Sequence, residues 1–97
     1  MRFEFKGDAN VSFIGDFTFT DHIAFREIAD RMAATNETVV IDLTNLEFVD
    51  SAGLGMLLIA REEAAKASRT LILRGAKGQV KRMFGLTKFD TLFTVEA

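Results

Sequence analysis

Polar and apolar residues alternate over residues 2–6, placing Phe3 and Phe5 on one face of a predicted strand. The apolar-rich residues 11–14 continue the β pattern, and Gly7-Asp8-Ala9-Asn10 between them has turn composition. These runs predict an N-terminal antiparallel hairpin. Gly15-Asp16 then interrupts the pattern, and Phe17-Thr18-Phe19 leads into a first helix. Thr20 is a candidate N-cap, because its hydroxyl can accept a free backbone N–H, and Asp21 suits the positive end of the helix. Phe25, Ile28, Ala29 and Met32 recur at helical spacing, with Arg26, Glu27, Asp30 and Arg31 facing away, which predicts a helix over residues 21–34. The β-branched run over residues 38–43 predicts a buried central strand, and residues 44–50 leave it as a loop. A second helix is expected over 51–67, a strand over 70–73, a short third helix over 78–85 and a last strand over 92–95.

The predicted order is therefore ββαβαβαβ in one α/β domain spanning residues 1–97. Strands alternating with helices imply right-handed crossovers and a mixed, largely parallel sheet. Functional groups in such sheets collect beyond the carboxyl ends of the strands, in loops that enter helices. That rule selects residues 15–21 and 44–55.

Composition narrows the chemistry. The 97 residues are 48% hydrophobic and 27% charged, with a net charge of −2, which fits one modest globular core. The absence of cysteine removes disulfides, thiolate zinc sites and cysteine nucleophiles, and the single histidine, His22, removes any site built on two imidazoles. His22 reads as a surface residue in the first turn of a helix. No cofactor or metal site is expected. No apolar segment approaches the ~20 residues of a membrane span, and the N-terminus lacks the apolar core of a signal peptide, so the expectation is a soluble cytoplasmic protein without membrane insertion. All ten aromatics are phenylalanine, which suits a core better than a recognition surface. The one local excess of charge is Arg74, Lys77, Lys81, Arg82 and Lys88. Without interleaved aromatics it does not read as a nucleic-acid site.

The informative stretch is residues 39–55, where a buried strand ends and Asp50-Ser51 opens a helix carrying Gly53 and Gly55 near its start. Each helical glycine costs about 1 kcal/mol relative to alanine, so either another group approaches closely or the helix packs tightly on the sheet. Ser51 reads as a helix cap, or as an acceptor whose phosphate would bring about −1.5 to −2 charges into the favourable field of a helix N-terminus. Asp42 ends a strand next to Thr44 and can cap or hydrogen-bond the following loop. A catalytic serine is not supported, since only His22 could serve as its base.

Asp50-Ser51-Ala52-Gly53-Leu54-Gly55, with the preceding strand and Phe48, resembles the signature of the STAS domain, and more closely that of bacterial anti-sigma-factor antagonists. The resemblance continues through residues 78–84, Leu86 and Phe89, and through residues 11–17, covering roughly residues 9–95 in order. It implies a four- or five-stranded sheet with helices mainly on one face, and a regulator rather than an enzyme. It further implies partner switching: the unphosphorylated protein binds an anti-sigma factor that is a serine kinase of histidine-kinase-like ATPase fold, phosphorylation of the matching serine, Ser51, parts the complex, and a serine phosphatase resets it. The implied docking face comprises Thr44, Asn45, Asp50, Ala52, Gly53, Leu54 and Gly55 around Ser51, with Gly15, Asp16, Thr18, Phe19 and Thr20 as the opposite lip. Met56 and Ile59 are either outward contacts or core, and Phe19 is either an exposed contact or a packing residue. The chain departs from the family at Thr18, where many antagonists carry Asp. Other readings of the same fold are a subunit docked permanently on a bacterial lipid ABC transporter, a partner switch for biofilm, secretion or chemosensory output, and a small-ligand or nucleotide sensor with a pocket near Gly53 and Gly55.

Overall fold

The computed structural model describes residues 1–96. Strand β1 (Arg2–Phe5) pairs antiparallel with β2 (Asn10–Phe17), setting Phe3 opposite Phe13 and Phe5 opposite Val11. A 3-10 turn (Phe19–Asp21) and helix α1 (His22–Ala33) lead to β3 (Val39–Val49). Helix α2 (Ser51–Lys66) crosses to β4 (Leu71–Arg74), and α3 (Gly78–Leu86) with the single-turn α4 (Phe89–Leu92) crosses to β5 (Thr94–Glu96). The sheet order is β1-β2-β3-β4-β5, with β2 to β5 parallel. Each crossover steps one strand in the same direction. Right-handed crossovers that all step one way place their helices on one face.

Burial along the strands agrees with this arrangement. Val11, Phe13 and Phe17 on β2, Val39, Ile41 and Leu43 on β3, and Leu71 and Leu73 on β4 are buried beneath the helices. Their neighbours Ser12, Val40, Asp42 and Ile72 point to the open face and are half-buried. The helices add Phe25, Ile28 and Met32 from α1, Leu54, Leu57 and Ala60 from α2, and Val80 and Phe84 from α3. Phe13, Phe17 and Phe25 form one aromatic cluster with centroids 5.3–6.2 Å apart, and Phe84, Phe89 and Phe93 form a second stack at 5.0–5.2 Å. Arg69 closes the end of α1 by donating to the carbonyls of Met32 (2.7 Å), Ala33 (3.1 Å) and Thr35.

Four local expectations are corrected. Gly15-Asp16 does not end β2; the strand runs through it to Phe17, with Gly15 at φ +93° beside an irregularity in the β2–β3 register. Residues 44–50 are not a loop, because β3 continues to Val49. Its buried residues switch from every second position to every third at Leu43, Leu46 and Val49, as β3 takes in an extra residue at two bulges against β2. That switch erased the alternation by which a strand is read. Thr20 is not a cap: it lies inside the 3-10 turn, and Asp21 stands at the N-cap of α1. Residues 89–92 form a helical turn entered through Lys88 at φ +58°, which shifts the last strand to residues 94–96.

Candidate functional site

The sheet delivers two segments to one place. As β2 and β3 end side by side, Asp50 N–H donates to the Phe17 carbonyl (3.2 Å). The Asp50 carboxylate then caps α2, accepting Gly53 N–H at one oxygen (2.7 Å), while its other oxygen accepts Phe19 N–H (3.2 Å). One side chain thus fixes both the start of α2 and the lip that follows β2. Because Asp50 takes the cap, Ser51 is the first helical residue, exposed, with its hydroxyl uncommitted among the side-chain hydrogen bonds of the described residues. Both Asp50 oxygens face backbone N–H donors, which tempers the repulsion an anion on Ser51 would otherwise meet.

The lip is braced from behind. The buried Asp21 carboxylate accepts Thr18 N–H (2.8 Å) and pairs with the Met1 amine (3.0 Å). The Thr18 and Thr20 hydroxyls share a hydrogen bond (2.9 Å). Phe19 is not a packing residue: it is 65% exposed and stacked on His22 at 5.0 Å, while His22 Nδ1 donates to the Phe19 carbonyl (2.9 Å). His22 is exposed, as expected of a surface residue.

Ser51, Gly55 and Ile59 follow one another at four-residue spacing along the outer stripe of α2. Ile59 is 57% exposed and Met56 half-buried, so Ile59 is the outward member of that pair. Ile23, at 68%, is a further exposed apolar side chain, close to Phe19 in the first turn of α1. Sequence reasoning missed it, although the signal existed: Ile23 stands two residues before Phe25 and so falls off the buried Phe25–Ile28–Met32 stripe.

The proposed docking residues separate into groups. Thr18, Phe19, Thr20, Asp50, Ala52 and Gly55 surround Ser51 on the rim, exposed or half-buried. Gly53 and Leu54 do not belong to an exposed face. Leu54 is core, and a Cβ on Gly53 would meet Val49 Cγ2 at 2.7 Å and the Phe17 carbonyl oxygen at 2.8 Å. This glycine therefore serves packing of helix on strand, and the space a ligand would need beside it is filled. Thr44 and Asn45 are exposed but lie in mid-strand, roughly 15 Å along β3 from its end. Asn45 shares a shallow depression with Gly15, Asp16, Ile14, Arg2 and Glu47. Thr44 turns back on Asp42, donating to one carboxylate oxygen through its hydroxyl (2.6 Å) and its N–H (2.9 Å). The hydroxyl bond above all, helped by the N–H bond and by Arg74 and Lys6 near by, holds the Asp42 carboxyl below the usual carboxylate range, against burial, which raises it and is the second-largest influence. Among the described residues no cluster of His, Asp and Glu could hold a metal ion, and no helix is long and apolar enough to cross a membrane.

Residues 1–95 match the family model described as "Mlab, STAS domain". The chain belongs to the STAS domain family. A STAS-domain containing protein of Pseudomonas aeruginosa, PA14_20770, is 33% identical over 81 residues, covering 84% of this chain and 80% of the relative. A candidate anti-sigma factor antagonist of Bordetella bronchiseptica, BtrV, is 29% identical over 69 residues, covering 71% of this chain and 60% of BtrV. Among solved structures, a candidate anti-sigma factor antagonist of Thermotoga maritima superposes with a TM-score of 0.82 at 16% identity, covering 99% of this chain and 85% of that one. The anti-sigma factor antagonist SpoIIAA in its unphosphorylated form gives 0.70 at 16%, covering 99% and 86%. A sulfate transporter family protein of Wolinella succinogenes gives 0.78 at 16%, covering 91% and 75%. The five-stranded mixed sheet with its helices is thus the STAS fold of these antagonists.

Proposed function

We propose that this STAS domain is a partner-switching regulator of the anti-sigma-factor-antagonist type, gated by phosphorylation of Ser51. The observation that carries the reading is the exposed Ser51 hydroxyl at the first position of α2, freed from capping by Asp50 and bordered by the exposed apolar side chains Phe19 and Ile59. The description of BtrV as an antagonist, and of SpoIIAA as having an unphosphorylated form, support it. A phosphoryl group there brings about −1.5 to −2 charges. The positive end of α2 tolerates it, contributing about 0.3–1 kcal/mol in its favour, so the fold survives. An apolar partner surface does not: burying that charge against it costs more than the ~1.4 kcal/mol that separates tenfold affinities. The unphosphorylated face binds an anti-sigma factor with serine kinase activity, phosphorylation releases it, and a phosphatase restores the face. Ser51 acts as acceptor and not as nucleophile of a catalytic cycle, so the domain is a regulator and no enzyme.

The test is incubation with candidate kinases of this class and ATP, followed by intact mass and site mapping, with calorimetric binding of wild type, Ser51→Ala and Ser51→Asp. Phosphate on Ser51 and at least ~10-fold weaker binding of Ser51→Asp are expected. Phosphate confined to other residues, with Ser51→Asp binding as tightly as wild type, removes the switch. The likeness to a sulfate transporter family protein supports a second reading, a domain docked permanently on a transporter. It predicts stoichiometric co-purification with a membrane transport protein whatever stands at position 51.

A further inference from the structure

Helix α3 carries a feature that the Ser51 switch leaves unused. Lys77 at its N-cap, Lys81 and Arg82 on its outer face, and Lys88 just beyond its end are all exposed. None of the four takes part in the ion pairs among the described residues, whereas neighbouring Arg74 is paired with Glu96 at 2.8 Å. With the chain at net −2, taking these four cations away leaves −6, so the face is a positive island on an acidic domain.

The arrangement works against the helix itself. Lys77 and Lys81 are like charges at i,i+4, Lys77 stands at the end where the helix field repels cations, and the first turn contains no acidic residue. Leu86, one turn beyond Arg82, is the most exposed large apolar side chain described, at 74%. The inner side of α3 is anchored: Val80 and Phe84 are buried, and the Gln79 amide accepts Val49 N–H and donates to Val49 C=O, each at 3.0 Å. The cations and Leu86 are therefore presented on a rigid platform.

We propose that the outer face of α3 is a second docking surface, which takes an acidic protein segment with an apolar anchor for Leu86, whether or not Ser51 is phosphorylated. Charge complementarity selects the occupant. The acidic segment supplies the negative charge that the helix lacks, and a pocket on the segment covers the leucine. An anionic bilayer is a poorer match, since one leucine inserts little apolar area and the acidic remainder of the domain is repelled. A nucleic acid finds no exposed ring to stack on, because Phe84 and Phe89 are buried.

The test is an amide-shift titration of the full chain with a ~16-residue amphipathic peptide of Glu and Leu near physiological salt, with binding constants from the same data. Saturable shifts over residues 77–88 are expected, with about tenfold weaker binding for the double variant Lys81→Glu/Arg82→Glu, weaker binding for Leu86→Ser, and no change for Ser51→Asp. Should the charge-reversed protein not fold, Lys81→Gln/Arg82→Gln replaces it, and the wild-type shift map decides on its own. Shifts that do not saturate, shifts centred on the Phe19–Ser51 rim, or Leu86→Ser binding like wild type overturn the proposal. So does tighter binding to phosphatidylglycerol vesicles or to a single-stranded oligonucleotide than to the peptide. Loss of the Ser51 response in kinase assays leaves this result unaffected, so the two readings fail separately.

Discussion

Gly53 and Gly55 stand two residues apart in one helix, and the structure assigns them opposite responses to the same substitution. In Gly53→Ala the new methyl carbon lies 2.7 Å from Val49 Cγ2, 2.8 Å from the Phe17 carbonyl oxygen and 3.2 Å from Phe17 Cδ2. Val49 and Phe17 are fully buried, and the Phe17 carbonyl is already engaged by Asp50 N–H, so neither neighbour can yield without moving the end of β2 or the start of α2. Overpacking of this kind costs about 1–3 kcal/mol, and alanine returns up to about 1 kcal/mol in helix propensity. Contacts this close to a backbone oxygen and a fully buried side chain put the cost at the upper end of that range, so the net expectation is a loss of about 1–2 kcal/mol, or roughly 5–15 °C in Tm for a domain of this size. In Gly55→Ala the methyl carbon meets nothing within 4 Å, so only the propensity gain remains, about 0.5–1 kcal/mol. The assay is thermal and urea unfolding followed by far-ultraviolet circular dichroism for both variants beside wild type. A Gly53→Ala protein as stable as wild type would refute the close approach of α2 to β2 and β3, on which the placement of Ser51 depends. Gly55→Ala adds a further readout: its methyl lies on the Ser51–Ile59 stripe, so a more stable protein that binds the Ser51 partner less tightly is expected.

Asp50→Ala removes the cap of α2 and the tie to Phe19 together; a loss of about 0.5–2 kcal/mol is expected, with faster hydrogen exchange at the Gly53 and Phe19 amides. Arg69→Ala frees three carbonyls at the end of α1 and should cost about 1.5–3 kcal/mol in urea unfolding without altering binding at Ser51. The Asp42 carboxyl titrates below its ordinary range in the folded protein, because Thr44 donates to its charged form. Its contribution is therefore present above the unfolded-state pKa of about 3.9 and is lost as pH falls through the lower folded value. Asp42→Ala should destabilise the domain above about pH 5, with the difference from wild type shrinking as the pH falls through the lowered folded value, as read from urea midpoints across pH. Stability curves that stay parallel to the lowest pH would remove Asp42 as the acid-sensitive group.

The hairpin, the three longer helices and the parallel sheet are legible in the chain because each buries one face at a fixed period, two for β2 and four-residue turns for α1 and α3. The second half of β3 is illegible for the same reason. Its bulges against β2 change the burial period to three, and pairing that causes a bulge belongs to the partner strand, not to the local sequence. Asp50-Ser51 could be read as a helix start, but two adjacent polar residues leave open which one caps. Backbone geometry settles it, since only Asp50 reaches both Gly53 and Phe19, residues that come together after β2 and β3 are aligned.

The same division runs through the site. The order of residues 50–55 determined where a helix begins, because side-chain chemistry and helix geometry act over a few residues, whereas the Ser51 hydroxyl was left available only once Asp50 took the cap. Whether a neighbouring residue faces outward was decided by long-range contact: Gly53 and Leu54 are covered by β2 and β3, Thr44 and Asn45 are carried away along the strand, and Phe19 and Ile23 are turned into solvent. Exposure is a property of what packs against a residue, and at Gly53 the covering atoms come both from Val49, just before the helix, and from Phe17 on the neighbouring strand.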